Sequence, residues 1–473
     1  MTVKIIGAGL AGCECAYYLA NNGYKVKLYD IKPKNKTPAH KSGLFSELVC
    51  SNSLKSNDFL TNACGLLKEE MRQFSSLIIS AADNTSVAAG HALAVDREKF
   101  AAYITEKIKN HKNIKVVCKE VKKVNKNKLT VVASGPLTTD ALSKNLKALT
   151  GDNLYFFDAS SPIITFESID MNYAFFGDRY GKGTNDYINC PLTKAEYDIF
   201  VDELTTGEAI ELAGFEPKKL FEGCMPVEEM AKKGKDTLRF GPLKPIGFTD
   251  PKTKKRPYAV IQLRKENNAQ SAYNIVGFQT NLKFAEQKRI FGMIPALKYA
   301  EYGRYGVMHK NTYINSPLLL DKNFRMKNHK NVYFAGQISG VEGYVESAAS
   351  GLLAAISIAH GDKLQIRDAD AAANSPHSPF EKWSPAQAGR DLDRQTPQAD
   401  GVAIRLNEQL FTDSTMLGAL AQYIATPNKN FQPMNANYSL LKPLANPSND
   451  KEINKLEFYK RSITEINEVK EKL

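Results

Sequence analysis

The chain has 473 residues, of which 43% are hydrophobic, and this length and composition predict two or three domains with a sizeable core. Its formal net charge of +12 suits a polyanionic partner such as RNA, although Lys is abundant along the whole chain. The seven cysteines show no repeated spacing, which argues against a disulfide framework or a metal site and favours a cytoplasmic location. No apolar run approaches the roughly 18 residues of a membrane helix, so a membrane is not expected as a partner.

The first predicted element is a buried strand from Val3 to Ile6, followed at once by a glycine-rich turn and a helix. A second strand, "KVKLY", ends in Asp30, close to the roughly 20 residues after the turn at which dinucleotide-binding folds carry a ribose-binding acid. Glycines in such a turn allow the sharp bend, the approach of a pyrophosphate and close packing of helix on strand. The predicted cofactor-binding residues are Gly7, Ala8, Gly9, Leu10, Ala11, Gly12 and Asp30.

A late segment, 331–359, has a strand from Val332 to Ala335, a turn that contains Gly336 and Gly340, and an apolar helix. Flavoproteins of the two-dinucleotide-fold type return to their sheet in this way, whereas NAD dehydrogenases do not need this late return. We therefore predict FAD as the bound dinucleotide and add Gly336 and Gly340 to its site. The predicted fold class is α/β, with a discontinuous Rossmann-like FAD-binding domain and an inserted α+β domain.

The predicted FAD-binding domain comprises residues 1–165 and 316–366, and the inserted domain comprises residues 166–315. Within the inserted domain, the basic stretch Lys252, Lys254, Lys255 and Arg256 is either a solvated hairpin tip or a contact for RNA phosphates. Residues 367–410 are Ala-, Gln- and Arg-rich in a Lys/Asn-rich chain, so we predict a disordered insertion there. Residues 411–473 form a predicted C-terminal helical region that ends in an amphipathic helix.

Two cysteines stand in settings that differ from those of packing cysteines. Cys50 lies in the polar stretch "FSELVCSNS", and Cys224 lies in "LFEGCMPVEEMA", where Pro226 suits the first turn of a helix. A thiol near a helix N-terminus is favoured as thiolate. The other cysteines are expected to pack in the core: Cys13, Cys15, Cys64, Cys118 and Cys190. The histidines His40 and His91 are expected at the surface.

Many short blocks, in order, resemble the folate- and FAD-dependent tRNA (uracil-5-)-methyltransferases, the TrmFO family. They include "GAGLAG", "ELVCSNSLKS", "NACGLLKEEMR", "FEGCMPVEEMA", "DTLRFGPLKPIG", "RYGVMHKNTYI" and "FAGQISGVEGYVESAASGL". The resemblance spans about residues 3 to 365 and resumes at 417–441, "LGALAQYIATPNKNFQPMNANYSLL".

The resemblance implies an enzyme that makes 5-methyluridine in the T-loop of tRNA. It further implies 5,10-methylenetetrahydrofolate as the one-carbon donor, FAD as the cofactor and NAD(P)H as the reductant of the flavin.

The methylation of uracil at C5 requires two chemical steps that cysteines can perform. Uracil C5 is a poor nucleophile, and addition of a thiolate to C6 makes C5 nucleophilic, which is covalent catalysis. A group must also remove the C5 proton afterwards. Both cysteines match family motifs that carry functional cysteines. We predict that Cys224 is the nucleophile at C6 and that Cys50 acts beside the flavin as base or stabiliser.

Three other functions remain open at this stage. A paralogue could perform the same chemistry on a ribosomal RNA uridine. A related FAD enzyme modifies wobble uridines, but "LVCSNS" and "FEGCMP" argue against that assignment. A flavin- and RNA-binding protein without activity is disfavoured because both cysteines are in place.

Overall fold

The computed structural model describes residues 1–37, 39–151, 154–181, 183–211, 225–267, 269–373, 410–428 and 431–473. Cys224 and residues 374–409 of the predicted insertion lie outside these ranges. Residues 367–373 of that insertion belong to a helix that continues from the preceding segment.

The strands, in chain order, are β1 (Thr2–Ile6), β2 (Lys25–Asp30), β3 (Ser53–Ser56), β4 (Ser86–Val87), β5 (Ala92–Val95), β6 (Ile114–Cys118), β7 (Thr130–Val132), β8 (Leu154–Ala159), β9 (Ile163–Thr165), β10 (Phe175–Phe176), β11 (Tyr187–Leu192), β12 (Ala259–Lys265), β13 (Ala272–Ile275), β14 (Tyr302–Arg304), β15 (Met308–Tyr313), β16 (Arg325–Met326) and β17 (His329–Phe334).

The α-helices are α1 (Leu10–Asn21), α2 (Ala63–Gln73), α3 (Leu77–Asn84), α4 (Arg97–Lys109), α5 (Asp140–Thr150), α6 (Lys194–Thr206), α7 (Val227–Lys232), α8 (Thr237–Phe240), α9 (Phe284–Phe291), α10 (Ser316–Leu319), α11 (Tyr344–Ala373), α12 (Met416–Ala425) and α13 (Lys451–Lys472). Short 3₁₀ turns include Phe166–Ser168, Met171–Tyr173, Pro295–Leu297, Gln337–Ser339 and Tyr438–Leu440.

The first sheet has the strand order β16-β17-β7-β1-β2-β6. Strand β1 lies inside the sheet, where it pairs in parallel with β2 and with β7. Its Val3 and Ile5 are fully buried, as expected for an inner strand of a parallel sheet. The late strand β17 pairs in parallel with β7, with Val332 opposite Thr130. The chain therefore returns to this sheet after a long excursion, and the predicted Rossmann-like α/β fold is confirmed.

The two helices that follow β1 and β17 pack directly on each other. A glycine makes this close approach possible: a Cβ at Gly351 of α11 would lie 2.2 Å from the backbone oxygen of Ala11 in α1. The N-terminal turn before α1 and the late turn before α11 are thereby brought to the same edge of the sheet.

The second sheet is antiparallel, with the order β10-β11-β12-β13-β9-β14. It has its own apolar core, which includes Ile188, Phe200 and Tyr273. Strand β9 (Ile163–Thr165) already belongs to it, just before the predicted start of the inserted domain at 166. Strands β8 and β15 form an antiparallel pair at the two passages between the sheets.

The C-terminal helices pack on the first domain through a buried carboxylate. Glu70 of α2 is fully buried and accepts hydrogen bonds from the backbone N–H groups of Met416 and Leu417, at 2.7 and 2.8 Å, and from the hydroxyl of Ser462. It satisfies free N–H groups at the start of α12. Among the described residues, none of the helices combines the length and apolar character needed to span a bilayer.

Candidate active site

The glycine-rich turn after β1 has the geometry expected of a phosphate-binding loop. Gly7 has φ +105°, and a Cβ there would lie 2.2 Å from the backbone oxygen of Ala133. A Cβ at Gly12 would lie 1.8 Å from the backbone oxygen of Gly7, whereas a Cβ at Gly9 would meet no atom within 4 Å. Two glycines thus allow close packing, and the third leaves open space at the start of α1, where free N–H groups attract phosphate.

Asp30, at the end of β2, lies beside this turn. One carboxylate oxygen accepts a hydrogen bond from the backbone N–H of Ala8 at 2.7 Å, and the other accepts one from the backbone N–H of Lys32 at 2.8 Å. The carboxylate therefore buttresses the turn and also lines the adjoining cavity.

One cavity brings most of the predicted cofactor residues together. Its volume is about 1130 Å³ with its open mouth included, slightly above the roughly 300–1,000 Å³ of typical ligand and cofactor sites. The predicted residues in its wall are Gly7, Gly9, Leu10, Ala11, Asp30 and Gly336. The open space at Gly9 and the acid at the end of β2 fit a dinucleotide such as FAD.

Three predicted residues lie outside the wall of this cavity. Ala8 and Gly12 are packed inside the turn and the helix. Gly340 has φ +81°, and a Cβ there would lie 2.4 Å from the ring of Phe431, so this glycine packs against the C-terminal segment. His40, expected at the surface, is half-buried in the cavity wall beside Thr37, while His91 is exposed.

A second cavity adjoins the first and contains Cys50. The two share five lining residues: Val49, Pro136, Leu137, Gln337 and Tyr344. Cys50 is half-buried, and its Sγ lies 3.8 Å from the backbone oxygen of Ala159. A thiol and a dinucleotide-binding loop therefore face connected spaces.

The backbone around Cys50 is fixed by Tyr344, the first residue of α11. The tyrosine hydroxyl accepts hydrogen bonds from the N–H groups of Cys50 and Ser51, at 2.7 and 3.2 Å. Tyr344 is half-buried, and withdrawal of its hydroxyl from water, reinforced by the nearby Cys50 sulfur, raises its pKa. The hydroxyl therefore stays neutral near pH 7.

The far wall of the second cavity carries an ion pair. Lys55 lines the cavity, and its Nζ lies 2.8 Å from Glu346, which is fully buried and also accepts a hydrogen bond from the N–H of Ala436. Gln337 and Glu342 are hydrogen-bonded nearby at 2.8 Å. Lys55, Gln337 and Glu342 make part of the cavity wall polar, whereas Pro136 and Leu137 are apolar members of the same wall.

The other cysteines of the described chain are placed differently from Cys50. Burial raises the pKa of Cys13 to about 12 and raises the pKa values of Cys15 and Cys190 as well. Cys64 is buried in the first turn of α2, where burial also raises its pKa. These thiols fill core positions, whereas Cys118 is half-buried at the end of β6.

Sequence reasoning overlooked several residues that border Cys50: Tyr344, Arg97, Arg264 and Arg304. Tyr344 could have been found, because it follows the late glycine turn in "GVEGYVES". The arginines carry no local signal, because each stands in a different part of the chain and was counted with the general positive charge.

The basic stretch of the second domain forms a hydrogen-bonded turn, with the N–H of Asp250 donating to the backbone oxygen of Lys255 at 3.0 Å. Lys254, Lys255 and Arg256 are exposed there, whereas the ammonium group of Lys252 is hydrogen-bonded to the backbone of Asn172. After Cys224, helix α7 has six residues, and its Glu228 is buried against Asn281. No cluster of metal-ligating side chains is found in the described ranges.

Comparison with known proteins places these features in context. The family described as "Glucose inhibited division protein A" matches residues 2–365. The chain is 52% identical to "Methylenetetrahydrofolate--tRNA-(uracil-5-)-methyltransferase TrmFO" of Acetivibrio thermocellus, over 93% of this chain and 92% of that protein. It is 48% identical to the protein of the same name from Bacillus pumilus, over 100% of this chain and 99% of that one.

Solved structures show the same fold. The structure of Aquifex aeolicus GidA aligns with a TM-score of 0.57 and 16% sequence identity. The alignment covers 76% of this chain and 63% of that chain, so this chain spans less than two thirds of that protein's length. At this identity the likeness concerns the fold alone.

Proposed function

The chain belongs to the TrmFO family of methylenetetrahydrofolate--tRNA-(uracil-5-)-methyltransferases, and on this premise we propose that it methylates C5 of a uridine in tRNA. The product is 5-methyluridine in the T-loop. The observation that carries the proposal is the junction of two cavities, one built around a dinucleotide-binding turn and the other containing Cys50.

The cofactor is FAD, with 5,10-methylenetetrahydrofolate and NAD(P)H as co-substrates. FAD, when bound, supplies the redox chemistry that turns the folate-derived one-carbon unit into a methyl group. The turn from Gly7 to Gly12 would hold its pyrophosphate, Asp30 its ribose, and Gly336 would border it from the other side. The shared residues Pro136, Leu137 and Tyr344 would lie between the cofactor and the space that contains Cys50.

The cysteines supply the covalent step on the RNA. A thiolate adds to uracil C6, which makes C5 nucleophilic, and departs once the C5 proton has been removed. We assign the addition to Cys224 and the task of base or stabiliser to Cys50, whose backbone is held by Tyr344. Crosslinking to RNA that contains 5-fluorouridine tests this division, because an adduct on Cys50 and not on Cys224 reverses it.

We propose that the partner is tRNA and that the protein acts on it in the cytoplasm. The relatives' names specify tRNA. A ribosomal RNA uridine is the alternative substrate that the same chemistry could serve, and nothing in the site geometry favours it.

The decisive experiment incubates the purified full-length protein with labelled methylenetetrahydrofolate, NAD(P)H and either unmodified tRNA or ribosomal RNA. We expect label in 5-methyluridine from tRNA, a large loss with Cys224→Ala or Cys50→Ala, and retained activity with the control Cys118→Ala. A colourless protein that takes up no FAD, or full activity in Cys224→Ala, contradicts the proposal. Label in ribosomal RNA alone changes the substrate and leaves the chemistry in place.

A further inference from the structure

The loop that carries Cys50 is held by three arginines, of which Arg264 is buried and Arg97 and Arg304 are half-buried. Arg304, the last residue of β14, donates hydrogen bonds to the backbone oxygens of Val49 and Cys50, both at 2.7 Å. Arg97, the first residue of α4, donates to the backbone oxygens of Leu48 at 2.7 Å and Cys50 at 3.3 Å. Two guanidinium groups therefore converge on the carbonyl of the cysteine itself.

A third arginine fixes the residues that follow. Arg264 of β12 donates to Asn52 Oδ1 at 3.1 Å and to Ser51 Oγ at 2.7 Å. The Asn52 side chain in turn donates to the backbone oxygens of Val95 and Lys265, at 3.1 and 2.8 Å. Five consecutive residues of the loop, from Leu48 to Asn52, are thus tied to helices and strands of both domains.

Only one carboxylate neutralises this positive charge within the described part of the chain. Glu266 is 6% exposed and binds Arg97 through two contacts, at 2.6 and 3.2 Å. Arg264 and Arg304 are bonded solely to neutral groups there, and the Nε of Arg304 is buried without a hydrogen-bond partner. Cations that are wholly or partly withdrawn from water without a counter-charge are costly, so an anion is expected nearby.

The electrostatics of these side chains show the same imbalance. Burial, with repulsion from Arg97, lowers the pKa of Arg304 to about 10, and burial also lowers the pKa of Arg264. A negative charge on Cys50 would raise the pKa values of Arg97, Arg264 and Arg304. The groups that face Cys50 from other elements are Arg97, Arg264, Glu266, Arg304 and Tyr344, with Lys41 and Glu47 on its own loop.

We propose that Arg97, Arg264 and Arg304 are positioning residues that hold the Cys50 loop and stabilise the thiolate of Cys50. Neutral donors could have bound the same carbonyl and hydroxyl oxygens without the desolvation of three cations. The excess positive charge is explained if its counter-ion is the sulfur. The inference rests on the proposed function only for the use made of that thiolate.

The test measures the rate of alkylation of Cys50 by iodoacetamide as a function of pH, in the full-length flavin-loaded protein, with peptide mass spectrometry to separate the cysteines. Removing one nearby cation should move the pH profile upward by about one unit. For Arg304→Gln and Arg264→Gln we therefore expect alkylation at pH 7 to be about tenfold slower. Arg304→Lys, which keeps the charge, should behave nearly as the wild type, and the profile of Cys118 serves as the internal control.

A further variant separates electrostatics from a merely structural role. Glu266→Gln removes the one carboxylate and raises the net positive charge, so the Cys50 profile should move to lower pH, opposite to Arg304→Gln. Loss of loop structure would move both variants in the same direction. If Arg304→Gln fails to fold, the pH profiles of Cys50 alkylation in Arg304→Lys and Glu266→Gln still test the inference.

Unchanged profiles in the Gln variants of Arg264 and Arg304, or a shift of Glu266→Gln in the same direction as Arg304→Gln, would overturn the inference. Because the readout is alkylation and not methyl transfer, its result is independent of the proposed function. A protein that makes no 5-methyluridine could still show the arginine effect, and an active one could lack it.

Discussion

The hydroxyl of Tyr344 accepts a hydrogen bond from the backbone N–H of Cys50 at 2.7 Å, which joins the first turn of the long helix α11 to the loop of the candidate catalytic cysteine. The helix that follows the late return to the parallel sheet therefore also sets the position of Cys50. The hydroxyl of Tyr344 thus links the helix that follows the parallel sheet directly to the backbone of the thiol residue.

Replacing Tyr344 by Phe should slow methylation by about tenfold or more. The change leaves two N–H groups, those of Cys50 and Ser51, without their acceptor, at a cost of about 1–3 kcal/mol that the loop relieves by moving. Turnover at saturating substrate is the measurement, with flavin absorbance as a check on cofactor content. Tyr423→Phe, which removes an exposed hydrogen bond to Gln432, is the matched control. Equal turnover in Tyr344→Phe and wild type would show that this link does not position the thiol.

Replacing Gly9 by Val should abolish flavin retention while the fold survives. A Cβ at Gly9 meets no protein atom within 4 Å, so the added side chain would extend into the space proposed for the pyrophosphate. Gly12→Ala, by contrast, places a Cβ 1.8 Å from a backbone oxygen and should lower the melting temperature directly. Flavin absorbance and thermal melts separate the two effects, and Gly303→Ala, with open contacts, is the control. Full flavin content in Gly9→Val would mean that the pyrophosphate lies elsewhere.

The parallel sheet could be predicted because its signals are local. A buried strand, a glycine turn and a helix follow one another within residues 3–21, and the pattern returns at 331–359. Each glycine that packs or opens the turn is recognised by spacing alone. The confirmed fold and family depend on such short-range patterns.

The surroundings of Cys50 could not be predicted in the same way. Arg97, Arg264 and Arg304 meet at the loop only because β12 and β14 of the second sheet fold back on it. In the sequence they contribute only to the general positive charge, whereas in the structure Arg264 is buried and Arg97 is half-buried. The contact of Gly340 was equally hidden in the sequence, because this glycine of the late turn packs against Phe431 of a distant segment.

The stability of the fold should depend on pH through Glu70. Burial raises the pKa of Glu70 to about 7, above the ordinary value of 4.5, so the folded protein holds this proton more tightly than the unfolded chain. Its contribution to stability is therefore full below about pH 4.5 and is lost as the pH rises towards and through 7. Glu70→Gln should flatten this part of the profile, and Glu69→Gln, half-exposed on the same helix, should not. Denaturant midpoints at pH 5 and pH 8 give the comparison; an equal slope in Glu70→Gln and wild type would exclude this titration.

The exposed basic turn of the second domain should contribute to tRNA binding without affecting chemistry. Lys254, Lys255 and Arg256 are solvent-exposed, and each phosphate they neutralise adds about 0.9 to the slope of log affinity against log salt. Replacing all three with Ala should weaken tRNA binding and reduce that slope, while turnover at saturating tRNA is kept. The triple variant Lys122→Ala, Lys123→Ala, Lys126→Ala loses the same charge from an exposed loop of the first domain and controls for long-range attraction. An identical salt slope in the two triple variants would assign the effect to net charge and remove the turn from the RNA contact surface.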